Sequence, residues 1–306
     1  MDYVLQTFGL SKRYKKHLAV NDATMTINRG DIYGFIGENG SGKTTIIRLI
    51  TGLIFPDSGS FELFGISNKS TDFKRAQSKV GAVVECPSIY KNMSAYDNLK
   101  MQCMILGLPQ DERINQVLRD VGLEYMLHDK KHAGNFSLGM RQRLGIAMCL
   151  LGEPEFIILD EPMNGLDPAG IVEIRELILK LNRERNITFL ISSHILSELS
   201  LIATKYGFIS NGHIIKEITA SQLQEQLKKT TDVTVDNPKA LEQLLTTTFP
   251  QAKLSTIPNG VRIDGDIDIN LVTSAIINAN IHITNISTHE TGLEDYYLEI
   301  IGGKHV

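Results

Sequence analysis

Residues 37–44 read Gly37-Glu38-Asn39-Gly40-Ser41-Gly42-Lys43-Thr44, with Thr45 next. Three glycines, a lysine and a hydroxyl at this spacing suit the binding of phosphate. Gly37, Gly40 and Gly42 admit backbone conformations that a side chain forbids, so several N–H groups can point at one anion. Lys43 reaches the β- and γ-phosphates, and the Thr44 hydroxyl ligates Mg²⁺. Asn39, Ser41 and Thr45 belong to the same expected nucleotide-binding set. Far downstream, Phe156-Ile157-Ile158-Leu159 lead into Asp160-Glu161. Such acid pairs often only cap helices. After an apolar strand, in a chain with a phosphate loop, Asp160 suits a magnesium shell. Glu161 is then placed to deprotonate an attacking water. These residues predict the binding and hydrolysis of a nucleoside triphosphate.

The elements that must position this chemistry are legible nearby. Ile32-Tyr33-Gly34-Phe35-Ile36 reads as a buried strand, and Thr44–Ile50 has helical apolar spacing. That strand–loop–helix context turns the pattern into a mechanism, with the helix N-terminus adding partial positive charge. Residues 1–30 alternate apolar and polar positions, as half-buried strands do. A strand is expected at Ser60–Gly65, helices over 94–128 with a break at Gly107-Leu108-Pro109, and a helix over 139–151. A helix over 168–185 opens on Pro168 and precedes a strand at Ile187–Ser192. Strands alternating with helices imply an α/β fold with a mainly parallel core sheet. Ser137 and Gly139, at the start of the 139–151 helix, make a second anion-binding terminus. One nucleotide has no need of two cradles, so the second is expected to serve another subunit's nucleotide. Asn164-Gly165-Leu166-Asp167 follows the acid pair. Ile191-Ser192-Ser193-His194 ends the next strand and puts an imidazole where a γ-phosphate would lie.

Near residue 220 the character changes. Residues 221–231 read as a polar linker, and 232–306 as a βαββαβ module of the ferredoxin-like plan. Its strands are expected at Val233–Val235 and Ile281–Ile286, its helices at Pro238–Thr247 and Asn270–Asn278, and a hairpin turns at Pro258-Asn259-Gly260. Residues 230–306 hold ten acids against four Lys and Arg, an acidity read as a solvated surface. The whole chain of 306 residues carries a formal charge of −4, which argues against a general nucleic-acid binder. Lys12, Arg13, Lys15 and Lys16 form the one basic cluster, beside the phosphate loop. Three cysteines without paired spacing fit a reducing compartment and no disulfide framework. No signal-peptide architecture and no stretch of roughly twenty apolar residues is present, so membrane spans would come from another chain.

Taken together, the loop, the Ser137–Gly139 signature, the acid pair, the Leu166-Asp167 turn and His194 resemble the ATP-binding subunits of ABC transporters, across residues 1–220. The resemblance implies a P-loop nucleotide-binding domain with a mixed core sheet and a helical subdomain, ATP and Mg²⁺ as ligands, and a head-to-tail homodimer enclosing two ATP molecules. Ser137 and Gly139 of one subunit would contact the γ-phosphate held by Lys43 of the other. Tyr14 would stack on adenine, Asp167 would carry contacts across the dimer, and His194 would act with Glu161 in catalysis. An integral membrane permease would hold the subunit at the cytoplasmic face of the membrane. The signature departs from the common wording, with Leu138 for a glycine and Met140 for a glutamine.

A second departure is Glu85, within Val83-Val84-Glu85-Cys86-Pro87, where the family usually has glutamine. Glutamate there resembles the branch that exports, or protects against, bacitracin and lantibiotic-type peptides, and Glu85 would sit among the nucleotide and metal contacts. The alternative reading of Glu85 is drift at a tolerant position. The competing functions are export of another cargo, such as a drug, lipid or ion, and a soluble non-transport ATPase. The latter types usually carry two nucleotide domains or a long coiled coil, and neither is evident here.

Overall fold

The structure, a computed structural model, describes residues 2–110, 112–227, 229–265, 267–290 and 292–302. Residue 228 of the expected linker and residues 303–306 of the expected C-terminal module lie outside these. The chain divides into two compact units, Met1–Ser221 and Gln222–Val306.

In the first unit, β1 (Tyr3–Tyr14), β2 (His17–Ala23) and β3 (Thr26–Asn28) bury one set of side chains and leave the other half-exposed. β4 (Ile32–Ile36) is instead buried at every position, as befits a strand covered on both faces. The phosphate loop then opens α1 (Lys43–Ile50), followed by β5 (Ser58–Leu63), β6 (Ile66–Ser67), α2 (Phe73–Gln77) and β7 (Val80–Val83). α3 (Ala95–Leu106) ends on Gly107, whose φ of 66° closes the helix at the expected break. α4 (Glu112–Asp120), α5 (Leu138–Leu150), β8 (Phe156–Asp160) and α6 (Pro168–Arg185) follow. β9 (Thr188–Ser193), α7 (Leu196–Ser200), β10 (Lys205–Ser210) and β11 (His213–Thr219) complete the sheet region.

Six strands form the central sheet, in the order β11-β10-β4-β9-β8-β7. All neighbours are parallel except the β10–β11 hairpin, so the sheet is mixed and the fold is α/β. A smaller antiparallel sheet runs β2-β1-β5-β6, with β3 on β1. α1 lies in the core between them and buries Ile46, Ile47, Leu49 and Ile50 against residues of both sheets. Each such side chain contributes roughly 1.5–3 kcal/mol when fully buried. That burial fixes the axis of α1, and with it the loop at its N-terminus. Because β4, β8 and β9 are parallel neighbours, their carboxyl ends open on one edge of the sheet.

The second unit begins within α8 (Ala220–Gln226) and contains β12 (Lys229–Val235), α9 (Pro238–Thr248), β13 (Lys253–Ile257), β14 (Gly260–Asp264), α10 (Ile269–Asn278), β15 (Ile283–Glu290) and α11 (Leu293–Gly302). Its antiparallel sheet runs β13-β14-β12-β15. Leu241 and Leu245 of α9 and Val272 and Ile276 of α10 pack on Val233, Val235, Val261 and Ile263. The strand expected at Val233–Val235 begins at Lys229, because β12 is central and pairs along its length with both β14 and β15. Among the described residues no helix is long and apolar enough to cross a membrane.

Candidate functional site

The loop between β4 and α1 is held by close approaches that only glycine permits. A Cβ on Gly37 would lie 2.5 Å from the Ile209 carbonyl oxygen and from the Ser41 hydroxyl. Gly42 takes φ 112°, and a Cβ there would come 2.6 Å from the Ala19 carbonyl oxygen. Gly40 is needed for conformation alone, since its φ is 82° and nothing crowds it within 4 Å. Lys43 is buried, and its Nζ donates to the carbonyls of Gly37 (2.6 Å) and Glu38 (3.2 Å). The ammonium is thereby turned back over the loop it follows. The Ser41 hydroxyl is buried among these groups and has no hydrogen-bond partner among the described residues.

The two acids meet the loop from the neighbouring strands. Asp160 is buried at the end of β8, where its Oδ1 accepts from the Ser192 hydroxyl at 2.5 Å. Glu161 turns out of the strand with φ 51°, a conformation rarely taken by a non-glycine residue. One of its carboxylate oxygens lies 3.6 Å from Lys43 Nζ. The other lies 2.7 Å from His194 Nδ1 and accepts the His194 backbone N–H at 3.4 Å. Lys43, Glu161 and His194, from three separate stretches of sequence, thus form one contact chain at the carboxyl edge of the sheet.

A cleft of about 280 Å³ opens beside them. The loop and α1 supply Asn39, Gly40, Gly42, Lys43, Thr44 and Thr45, and Glu161 closes one side. Tyr14 and His17 form the other wall, side by side across the turn between β1 and β2. His17 was not singled out in the sequence; its signal is the pairing of the two strands around Lys15-Lys16. Tyr33 lies within β4 and is wholly buried. Its buried hydroxyl donates to Glu217 at 2.9 Å, and burial, then Glu217, push the phenol well above its usual range.

Four expected site residues stand apart from this cleft. The Ser137 hydroxyl caps α5 by accepting from Met140 N (3.2 Å), and Asp167 caps α6 by accepting from Gly170 N (3.0 Å). The two helix starts adjoin, since a Cβ on Gly139 would lie 3.8 Å from Leu166 and one on Gly165 would lie 3.3 Å from Leu138. Within one chain, therefore, Ser137, Gly139 and Asp167 share a surface that is not the Lys43 cleft. Glu85 is the fourth. It does not line the cleft, because its exposed carboxylate is paired with Arg48 in the last turn of α1.

The family described as ABC transporter matches residues 20–164. The chain is 39% identical over 305 residues to the bacitracin transport ATP-binding protein BcrA of Bacillus licheniformis, covering 99% of both proteins. It is 44% identical over 226 residues to the lantibiotic transport ATP-binding protein SrtF of Streptococcus pyogenes, covering 73% of this chain and 95% of that protein. Among solved structures, cbiO1 of Clostridium perfringens, part of the ABC transporter complex cbiONQ, superposes with a TM-score of 0.66 at 25% identity. That match covers 82% of this chain and 97% of the other.

Proposed function

The chain belongs to the ATP-binding proteins of ABC transporters, an ATP-hydrolysing family, and on that premise we propose that it powers export of a bacitracin- or lantibiotic-type peptide through a separate membrane permease. The observation that carries the hydrolytic part is the contact chain Lys43–Glu161–His194, with spacings of 3.6 and 2.7 Å. The cargo assignment rests on similarity to the two named relatives, one of them along nearly the full chain.

In this reading Gly37, Asn39, Gly40, Ser41, Gly42 and Thr45 hold the phosphates, Lys43 neutralises them, and Tyr14 stacks on the base. The fit is physical: at Gly37 and Gly42 the loop has room only for backbone, and the Ser41 hydroxyl, without a partner among the described residues, is a donor awaiting an acceptor. Among the described residues no group of three or more His, Cys, Asp or Glu side chains gathers to hold a metal alone. Thr44 and Asp160 suit Mg²⁺ instead, which typically binds through one or two protein ligands plus substrate phosphates and neutralises their charge. Glu161 accepts the proton of the attacking water while His194 and Lys43 fix its two oxygens.

ATP-binding subunits of this family dimerise and work with membrane permeases. The adjoining Ser137, Gly139 and Asp167 then serve the partner subunit's nucleotide, and the permease keeps the protein at the cytoplasmic face of the membrane. Residues 1–220 form the engine and 232–306 an accessory module. Glu85 couples the nucleotide cycle to the permease. Its pairing with Arg48 supports this, because Arg48 rides on the helix whose other end begins at Lys43.

Glu161→Gln tests the chemistry. Hydrolysis should fall by roughly 10²–10⁴ while ATP binding persists. Cells making the protein with its permease should lose protection against bacitracin or a lantibiotic when they carry this variant. Near-normal turnover would reject the base, and protection by the wild type against none of these peptides would reject the cargo.

A further inference from the structure

β9 is a strand buried on both faces, and Phe189, Leu190 and Ile191 fill its middle. Ser192 interrupts that run although it is wholly buried. A buried hydroxyl is costly unless its hydrogen bonds are made, so a serine here needs a reason that packing does not supply. The hydroxyl uses both of its capacities, one on each acid of the site. It donates to Asp160 Oδ1 at 2.5 Å and accepts the Glu161 N–H at 3.0 Å. The neighbouring serine differs: the Ser193 hydroxyl accepts from Ile195 N at 2.9 Å and shapes only its own turn.

We propose that Ser192 is a positioning residue for hydrolysis, aligning Asp160 and Glu161 through a single hydroxyl. The strand register makes this possible, because Asp160 and Ser192 are direct parallel partners. On one side the hydroxyl fixes the rotamer of a carboxylate that has no solvent to orient it. On the other it helps hold the left-handed turn at Glu161, whose N–H is shared between the Ser192 hydroxyl and the Ser192 carbonyl at 3.0 and 3.1 Å. That turn aims the Glu161 carboxylate at Lys43 and His194. Ser192 touches none of the reacting atoms. It sets where two groups that do so stand, and the inference rests on the assignment of Glu161 as the base.

The test compares shapes that differ only in the hydroxyl. Ser192→Thr keeps the donor and acceptor, and Ser192→Val has the same outline without them. In the full-length protein, Ser192→Val should lower kcat for ATP by roughly 10–100-fold, the usual effect of removing an outer-shell partner of a metal-site ligand. KM for ATP should hold, and the Mg²⁺ concentration giving half-maximal rate should rise. Ser192→Thr should restore most of the rate. Ser192→Ala, which adds no bulk, repeats the comparison if the larger side chains disturb folding. In a Glu161→Gln background, Ser192→Ala should cost little more, because the two act as one unit. Equal rates for Ser192→Val and Ser192→Thr, or a full multiplicative loss in the double variant, would overturn the proposal. Wild-type turnover of Ser192→Ala beside an inactive Glu161→Gln sinks this inference alone. Near-normal turnover of Glu161→Gln removes the base assignment itself and is read independently of every Ser192 result.

Discussion

Ser41→Ala should move stability and nucleotide affinity in opposite directions. The Ser41 side chain is buried with no hydrogen-bond partner among the described residues, packed where a Cβ on Gly37 would lie 2.5 Å from its oxygen. A buried unsatisfied polar group costs about 1–3 kcal/mol. Removing only the oxygen recovers part of that, so a gain near 1 kcal/mol is expected, equivalent to about 2–4 °C in Tm for a domain of this size. With a phosphate in the loop, the same hydroxyl donates to a charged acceptor, a bond worth about 1.5–3 kcal/mol. Its loss should weaken ATP binding by about 10- to 150-fold. Thermal melts of the protein with and without ATP report both effects, since ligand stabilisation grows with the logarithm of concentration over Kd. The Glu161→Gln background prevents turnover during the scan. The variant should melt higher than its parent without nucleotide and gain less from ATP. A lower ligand-free Tm combined with an undiminished ATP shift would refute the role given to this hydroxyl.

Three further outcomes are expected. Gly207→Ala would set a methyl carbon 1.9 Å from the Tyr33 hydroxyl. Overpacking of this kind costs about 1–3 kcal/mol, so a Tm equal to wild type would contradict the buried Tyr33–Glu217 contact. In the second unit, Arg262 grips Asp232 through two hydrogen bonds of 2.6 and 2.8 Å and holds its carboxyl below the usual range. A lowered folded pKa gives stability that is present above the ordinary Asp value of about 3.9 and lost as pH falls through the lowered one. Hydrogen exchange in β12 and β14 should therefore accelerate less on acidification in Asp232→Asn than in wild type, and an unchanged acid response would count against the pair. Finally, Cys86 is exposed, whereas burial raises the Cys103 thiol and pushes Cys149 up to about 12. Iodoacetamide at mildly alkaline pH should label Cys86 alone in the native protein, and mass spectrometry detecting Cys149 adducts would disprove that ranking.

What the sequence made legible follows from how far apart the interacting groups lie along the chain. The phosphate loop was readable because its chemistry is local, with backbone conformation, lysine and hydroxyl all within eight positions. The acid pair was readable because an apolar strand leads directly into it. The part played by Ser192 was hidden, because it depends on which residue of β9 lies opposite Asp160, and lateral register has no short-range signature. His17 enters the cleft through strand pairing for the same reason. Glu85 was expected near the metal because its position in the family pattern is local, yet its side chain answers to Arg48, 37 positions away. In the last helix, α11, the sequence signal is short: Leu293, Tyr296 and Tyr297 alone mark one buried helical face.

The two walls of the cleft differ in how they can change. One is set by the lateral alignment of β4, β9 and β8, so its geometry belongs to the sheet and cannot be adjusted piecemeal. The other is the tip of a hairpin whose turn holds Lys15 at φ 53° on an exposed edge. On the proposed reading, in which Tyr14 stacks on the base, lengthening or recolouring that tip would alter how a base is gripped without displacing Lys43, Glu161 or His194. Ligand preference and bond-breaking would then occupy separable parts of the molecule, leaving the former open to innovation while the latter stays fixed.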